Sequence, residues 1–327
     1  MGAEATSDTG RGTGGMMAQP LVTVVLPTFD RFEFLPAATR SVFDQTLRDW
    51  ELVVADDGSD REVRDYLDTL NDGARVRTLF LPHSGNPGRA RNAAIAVARA
   101  PYIAFLDSDD LWEPRKLERQ LEMMRAEGGC DWSYTGVSFI DDEGKPIAAE
   151  HYRHWTTFRG EVFERILRDP ASVRTPTVVI ATQLVRDVGG FDEAIDSGED
   201  TDLWMRLALR TRACIVSESL ARIRYHAGNQ NRDAFRPFAA RDYSLRKLAE
   251  SATSAQRTLL ERERSLNTLL WAVETAARGG RWRALAMVGK SLPFGWKFAL
   301  WWYESLKALV RACSLPSRAQ SRGGVDG

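Results

Sequence analysis

The sequence predicts an open α/β fold with a mostly parallel central sheet, a mixed second half and a helical C-terminal region. Short apolar runs rich in β-branched residues, at 21–26, 51–55, 76–81 and 102–106, alternate with helical patterns of crossover length. Polar residues gather where those runs end, as they do at the carboxyl edge of an open sheet. After Asn231 helical patterns dominate to about Cys313.

Leu21, Val22, Val24, Val25 and Leu26 form a run without polar alternation, which suits a strand covered on both faces, and Pro27 stops it. Asp30 with Glu33 fits a capping pair for a helix carrying Phe34, Leu35, Ala38, Val42 and Phe43. The second strand, 51–55, runs into Asp56-Asp57-Gly58-Ser59, and Ser59 with Glu62 fits a second capping box. A third strand near 76–81 leads through Gly85-Asn86-Pro87-Gly88-Arg89-Ala90-Arg91-Asn92 into an Ala-rich helix. The fourth, Tyr102-Ile103-Ala104-Phe105-Leu106, ends in Asp107-Ser108-Asp109-Asp110. A charged amphipathic helix follows from Pro114 to about Glu127, then an alternating strand at 131–140, a hairpin turn at 141–145 and a strand near 178–181. Gly198-Glu199-Asp200 precedes a helix carrying Leu203, Trp204, Leu207 and Ala208, with Trp204 read as core.

The chain has 327 residues, 43% hydrophobic and 27% charged, enough for one large domain or two smaller ones. Its net charge of −1 gives no general attraction to nucleic acid. Cys130, Cys214 and Cys313 are odd in number and widely spaced, which reads as free thiols in a reducing compartment. Residues 1–19 have the composition of a disordered tail and not of an export signal, and 316–327 form a second such tail. The expected location is the cytoplasm.

Three acidic clusters bear the chemistry: Asp56-Asp57, Asp107/Asp109/Asp110 and Glu199-Asp200. Carboxylates so close together repel unless a hard cation neutralises them, and oxygen ligands suit Mg²⁺ or Mn²⁺. An acidic turn that caps the next helix is the other reading of 107–110, and these residues alone leave the two open.

Taken in order, Val24 to Phe29, Ala55 to Ser59, Gly88 to Asn92, Phe105 to Asp110 and Gly198 to Asp200 resemble the motifs of family-2 glycosyltransferases with the GT-A fold, a Rossmann-like architecture. The resemblance covers roughly 20–231, leaving 232–315 as the helical region. It implies an inverting, metal-dependent, hexosyltransferase-like enzyme. Such an enzyme moves a sugar from a nucleoside diphosphate donor, UDP-linked by the family's habit, to a hydroxyl of a glycan or lipid-linked glycan, as in cell-surface polysaccharide synthesis. It implies that Asp107 and Asp109 hold Mn²⁺ or Mg²⁺ against the donor diphosphate, with Ser108 between them on the donor, and that His226 supplies a further ligand. Asp56 and Asp57 match the base-reading position, framed by Pro27, Thr28 and Phe29; one is expected to bind while the other is structural. Arg89 and Arg91 are placed to face base or phosphates, with solvated helix arginines as the other reading. Asp200 matches the catalytic base and Glu199 the residue that orients the acceptor.

Residues 281–313 carry six cations, Arg281, Arg283, Lys290, Lys297, Lys307 and Arg311, against Glu304 alone, a local charge of +5. Trp296, Trp301 and Trp302 fall among them, which suits peripheral contact with the inner face of a membrane. A helix packed on the domain is the competing reading. A nucleotidyltransferase also places carboxylate-bound Mg²⁺ on an α/β sheet, but residues 27–31 lack the glycines of a phosphate loop. A non-catalytic membrane-associated scaffold would have no use for Asp200.

Overall fold

The structure, a computed structural model, describes residues 19–126, 130–147, 162–226, 236–278, 280–295 and 303. Four strands run parallel: β1 (Val22–Thr28), β2 (Trp50–Asp56), β3 (Val76–Phe80) and β4 (Tyr102–Phe105). Every residue of β1 and β2 is buried. Val22, Val24 and Leu26 face one core with helices α1 (Leu35–Phe43), α2 (Arg61–Leu70) and α4 (Lys116–Ala126), while Val25 faces the other with α3 (Pro87–Val97). Cover on both faces is why these strands read as unbroken apolar runs.

The second half turns the sheet mixed. β7 (Val179–Ala181) pairs antiparallel with β4, β6 (Trp132–Ile140) pairs antiparallel with β7, and β8 (Ala213–Arg224) lies parallel to β6. β5 (Leu111–Trp112) closes the far edge, giving the order β3-β2-β1-β4-β7-β6-β8-β5. The β6–β8 register shifts around Gly136, where a Cβ would meet the carbonyl oxygen of Glu218 at 2.8 Å. Helices α5 (Phe163–Arg168), α6 (Thr182–Asp187) and α7 (Glu199–Ala208) cover the α3 side. Trp204 of α7 stacks on Trp132 and touches Phe105 and Phe191, deep in that core.

Several local expectations resolve differently. Asp30 does not cap α1, which starts without a side-chain cap; it sits at φ 45 and accepts the Asp60 N–H at 2.8 Å. Asp60, not Ser59, caps α2 by accepting from the Val63 N–H, while Ser59 Oγ takes the Asp30 N–H. The turn at 141–145, by contrast, forms as expected: the Asp141 N–H donates to the Lys145 carbonyl, the Ile147 N–H donates to the Phe139 carbonyl, and Ile140 bridges Pro146. No periodicity marks strand β8, twelve residues long, because its pattern of two buried ends around exposed residues is neither helical nor alternating. Contrary to the free thiols expected from their spacing, Cys130 and Cys214 are joined as a disulfide across a Cα–Cα distance of 5.9 Å, 84 residues apart.

The helical region is α8 (Arg236–Ser251), α9 (Ser254–Ala277) and α10 (Arg281–Gly295). Leu245 and Leu248 of α8 and Leu260 of α9 enter the core behind α3, whereas α10 rests Ala284 on Ala272 and Ala276 of α9. No described helix is long and apolar enough to cross a membrane. The aromatic stretch beyond 295, save Tyr303, and the tails expected at 1–19 and 316–327, save Gln19, lie outside the described residues.

Candidate active site

The carboxyl ends of β1, β2 and β4 open onto one cavity of about 370 Å³, lined among others by Pro27, Thr28, Phe29, Asp57, Arg91 and residues 107–109. Geometry separates the two aspartates after β2. Asp57 lines the cavity, with Oδ1 accepting from the Ser84 N–H and Oγ–H at 3.0 and 2.8 Å and Oδ2 from the Gly85 N–H at 2.8 Å. Asp56 is fully buried below it, where Oδ1 takes the Ser59 N–H at 3.1 Å and Oδ2 faces Arg64 at 3.5 Å. Gly58 makes the turn possible: it sits at φ 85, and a Cβ there would strike the His83 nitrogen at 2.8 Å. His83 stacks on Phe29 at 4.1 Å and bonds the Asp57 carbonyl through Nδ1 at 2.9 Å. Nothing local in the sequence marks His83, because its importance comes from the neighbouring strand.

Arg91 is the junction of the site. Buried at the start of α3, its guanidinium donates through Nη2 to Asp107 Oδ1 at 2.7 Å and through Nη1 to Glu199 Oε1 at 2.8 Å. Burial opposes its charge, but Asp107 and Glu199 outweigh burial and hold it above the ordinary arginine value. Arg89, two residues earlier, is exposed and does not line the cavity. Burial, helped by the charges of Asp109 and Asp200, outweighs Arg91 at Asp107 and raises its carboxyl. Burial, together with Asp200, does the same at Glu199. Carboxylate exceeds cation in this part of the molecule.

The remaining members come from the mixed half. His226 follows β8, and its Nε2 lies 3.0 Å from Asp109 Oδ2, with the ring against Phe34. Asp110 is buried and accepts the Arg224 N–H at 2.8 Å, which ties the acidic loop to the end of β8. Burial, then Asp109 and Asp107, push its carboxyl well above the usual range. The Arg224 side chain donates to the carbonyls of Asp109, Asp141 and Asp142. Glu199 and Asp200 open α7, where the helix dipole favours acids, behind Gly198 at φ 77. Asp200 Oδ1 takes the Thr201 N–H at 2.6 Å and Oδ2 takes the Thr175 hydroxyl at 2.9 Å. Thr175 and Arg224 had no signal in the sequence, since each acts on a residue brought near only by the fold.

The donor set for a cation can be tested on these contacts. Among the described residues no three ligand-type side chains converge on one point. Asp109 and His226 do meet, while the facing oxygen of Asp107 is committed to Arg91. One carboxylate and one imidazole fit an ion that completes its shell with phosphate oxygens and water, as Mn²⁺ and Mg²⁺ do beside phosphates.

Residues 23–180 match the family model described as "Glycosyl transferase family 2". That stretch is a family-2 glycosyltransferase domain. A protein of Rickettsia bellii described as an uncharacterized glycosyltransferase is 32% identical over 208 residues, 64% of this chain and 29% of that protein. The Escherichia coli enzyme WfgD, described as UDP-Glc:alpha-D-GlcNAc-diphosphoundecaprenol beta-1,3-glucosyltransferase, is 38% identical over 133 residues, 40% of this chain and 52% of its own. This chain thus spans less than a third of the first relative and about half of the second. The crystal structure of S. aureus TarS 1-349 in complex with UDP-GlcNAc superposes with a TM-score of 0.63 at 17% identity, covering 89% of each chain, which shows the GT-A type of fold.

Proposed function

We propose that this glycosyltransferase moves a sugar, with inversion, from a nucleoside diphosphate donor to a hydroxyl of a glycan or lipid-linked glycan. UDP is the proposed carrier. The observation that carries the reading is the single cavity into which Phe29, Asp57, Asp107 and Asp109 all open, with Glu199 joined to it through Arg91 and Asp200 beside Glu199 in the first turn of α7. The TarS complex holds UDP-GlcNAc, and WfgD is described as acting on UDP-Glc and a diphosphoundecaprenol-linked acceptor. Both support the choice of donor and acceptor class.

In this reading the Asp57 carboxylate, held by Ser84 and Gly85, and the backbone of residues 27–29 receive the base, with Phe29 against its face. Asp109 and His226 would hold Mn²⁺ or Mg²⁺, which when bound neutralises charge growing on the diphosphate. Asp107 stays paired with Arg91 and shapes the floor beside Ser108. Asp200 takes the proton of the acceptor hydroxyl as that oxygen bonds to the anomeric carbon, and the bond to the diphosphate breaks with its electron pair leaving on the diphosphate. Glu199, fixed by Arg91, orients the acceptor.

A screen of nucleotide-sugars for donor hydrolysis, with Mn²⁺ or Mg²⁺, on the parent and Asp109→Ala tests the site. The expected result is metal-stimulated hydrolysis of UDP-sugars by the parent alone; equal hydrolysis by both overturns the role of Asp109. We also place the enzyme in the cytoplasm at the inner face of a membrane. Trp282 is 86% exposed on α10, Leu285 is exposed one turn on, and the +5 stretch begins there. Flotation with anionic vesicles should fall in Trp282→Glu, and unchanged flotation removes α10 from the contact.

A further inference from the structure

Resting on the reading of Asp200 as the base, a buried polar strut behind it gains a purpose. The 3₁₀ turn Thr175–Thr177 presents the Thr175 hydroxyl to Asp200 Oδ2 at 2.9 Å, and Thr175 is itself buried. That turn is held from several sides. The Trp112 indole N–H donates to the Pro176 carbonyl at 2.8 Å, the Gln120 amide donates to the Thr177 carbonyl at 3.0 Å, and the Thr177 hydroxyl closes onto the Arg174 carbonyl at 2.6 Å. Gln120 is oriented in turn, since its Oε1 accepts from Lys116 Nζ at 2.7 Å and its Nε2 also reaches Ser133 Oγ at 3.0 Å.

Lys116, Gln120, Ser133 and Thr177 have no exposed surface at all. Buried polar groups cost stability unless each is satisfied, and an apolar filling would hold α4 on the sheet equally well. Their hydrogen bonds all run toward one short turn, and that turn makes one contact with the reaction site. The strut also starts from the donor side: Trp112 lies in β5, two residues after Asp110, so the acidic loop and the turn bearing Thr175 share an anchor.

We propose that Thr175 is a positioning residue for sugar transfer. With Thr201 N–H fixing Oδ1 and Thr175 O–H fixing Oδ2, the Asp200 carboxylate is locked in one rotamer, and each oxygen keeps a lone pair for the acceptor's proton. Trp112 and Gln120 act through Thr175, and none of the three lines the cavity proposed for the donor.

The test is steady-state transfer by Thr175→Val, Thr175→Ser, Asp200→Asn and the Val/Asn double variant, with donor binding followed by calorimetry. Thr175→Val should lower kcat at least about tenfold while the donor KM and Kd stay within about twofold, because only alignment of the base is lost. Thr175→Ser, which keeps the hydroxyl, should restore kcat to within about twofold, and Thr175→Val should cause no further loss in Asp200→Asn. Parental kcat in Thr175→Val overturns the proposal. Equal loss in Val and Ser, or the same factor lost again on Asp200→Asn, also overturns it, since each marks a merely structural role. Should Asp200→Asn itself turn over normally, the base reading fails and Thr175 falls with it; an inactive Asp200→Asn beside a normal Thr175→Val sinks Thr175 alone. If Thr175→Val does not fold, Trp112→Phe decides: it deletes the indole N–H, and kcat must drop severalfold with donor binding kept, or the strut has no role in transfer.

Discussion

On the parallel side of the sheet, the cavity groups are held largely by backbone at the same edge: Asp57 by the N–H groups of Ser84 and Gly85, and the Asp57 N–H by the Thr28 carbonyl. On the mixed side they are held by side chains that cross the molecule. His226 meets Asp109 from 117 residues away, Glu199 meets Arg91 from 108, and Asp200 takes its hydroxyl from a separate 3₁₀ turn. The groups of the parallel half are fixed largely by backbone, so that half should tolerate side-chain loss, whereas the mixed half is a set of joints, each of which should fail when one member is removed. Binding should therefore be lost piecemeal on one side and turnover abruptly on the other.

The sharpest break is expected at Asp200→Asn. Transfer should fall about a thousandfold, the usual scale for a lost general base, with donor affinity kept. Arg91→Met strikes the joint between the halves and strands Asp107 and Glu199 as buried carboxylates without their cation. Denaturant unfolding should show a loss of about 3 kcal/mol, and stability equal to the parent would mean the two halves do not depend on this bridge. Asp57→Asn should weaken donor binding about tenfold and leave kcat at saturating donor unchanged, because only one receptacle group is altered. Smallest is Lys116→Met. Burial drives the Lys116 ammonium well below its ordinary value, so between the folded and unfolded values the unfolded chain binds a proton that the folded chain does not. Stability then rises with pH across that window, up to about pH 10. Methionine removes the titrating group but leaves Gln120 Oε1 without its donor, so the rise with pH should flatten while the melting temperature at pH 7 shifts by no more than about 2 °C, as scanning calorimetry can show.

The same contrast explains what could be read in advance. Strands β1 to β4 were legible because burial on both faces leaves continuous apolar runs, and their acidic ends were legible because a strand delivers its next residues directly to the rim. That rule does not tell neighbours apart. Asp56 and Asp57 look alike as sequence, yet one is sealed under the sheet and the other faces the cavity. Arg89 and Arg91 also look alike, but two residues along α3 turn the side chain from solvent to the buried junction. His83, Thr175 and Arg224 were silent because each is defined by a partner on another element, and the Cys130–Cys214 pairing depends on β6 and β8 lying side by side.

The account rests on a division of labour, with Asp109 holding the donor's diphosphate through a cation and Asp200 acting only on the acceptor. Calorimetric titration of UDP-glucose and UDP-GlcNAc, in Mn²⁺, into the parent, Asp109→Ala and Asp200→Asn measures that division directly. The predicted result is binding weakened at least about tenfold in Asp109→Ala and left as in the parent in Asp200→Asn. Equal binding by all three proteins, or loss in Asp200→Asn alone, would contradict it.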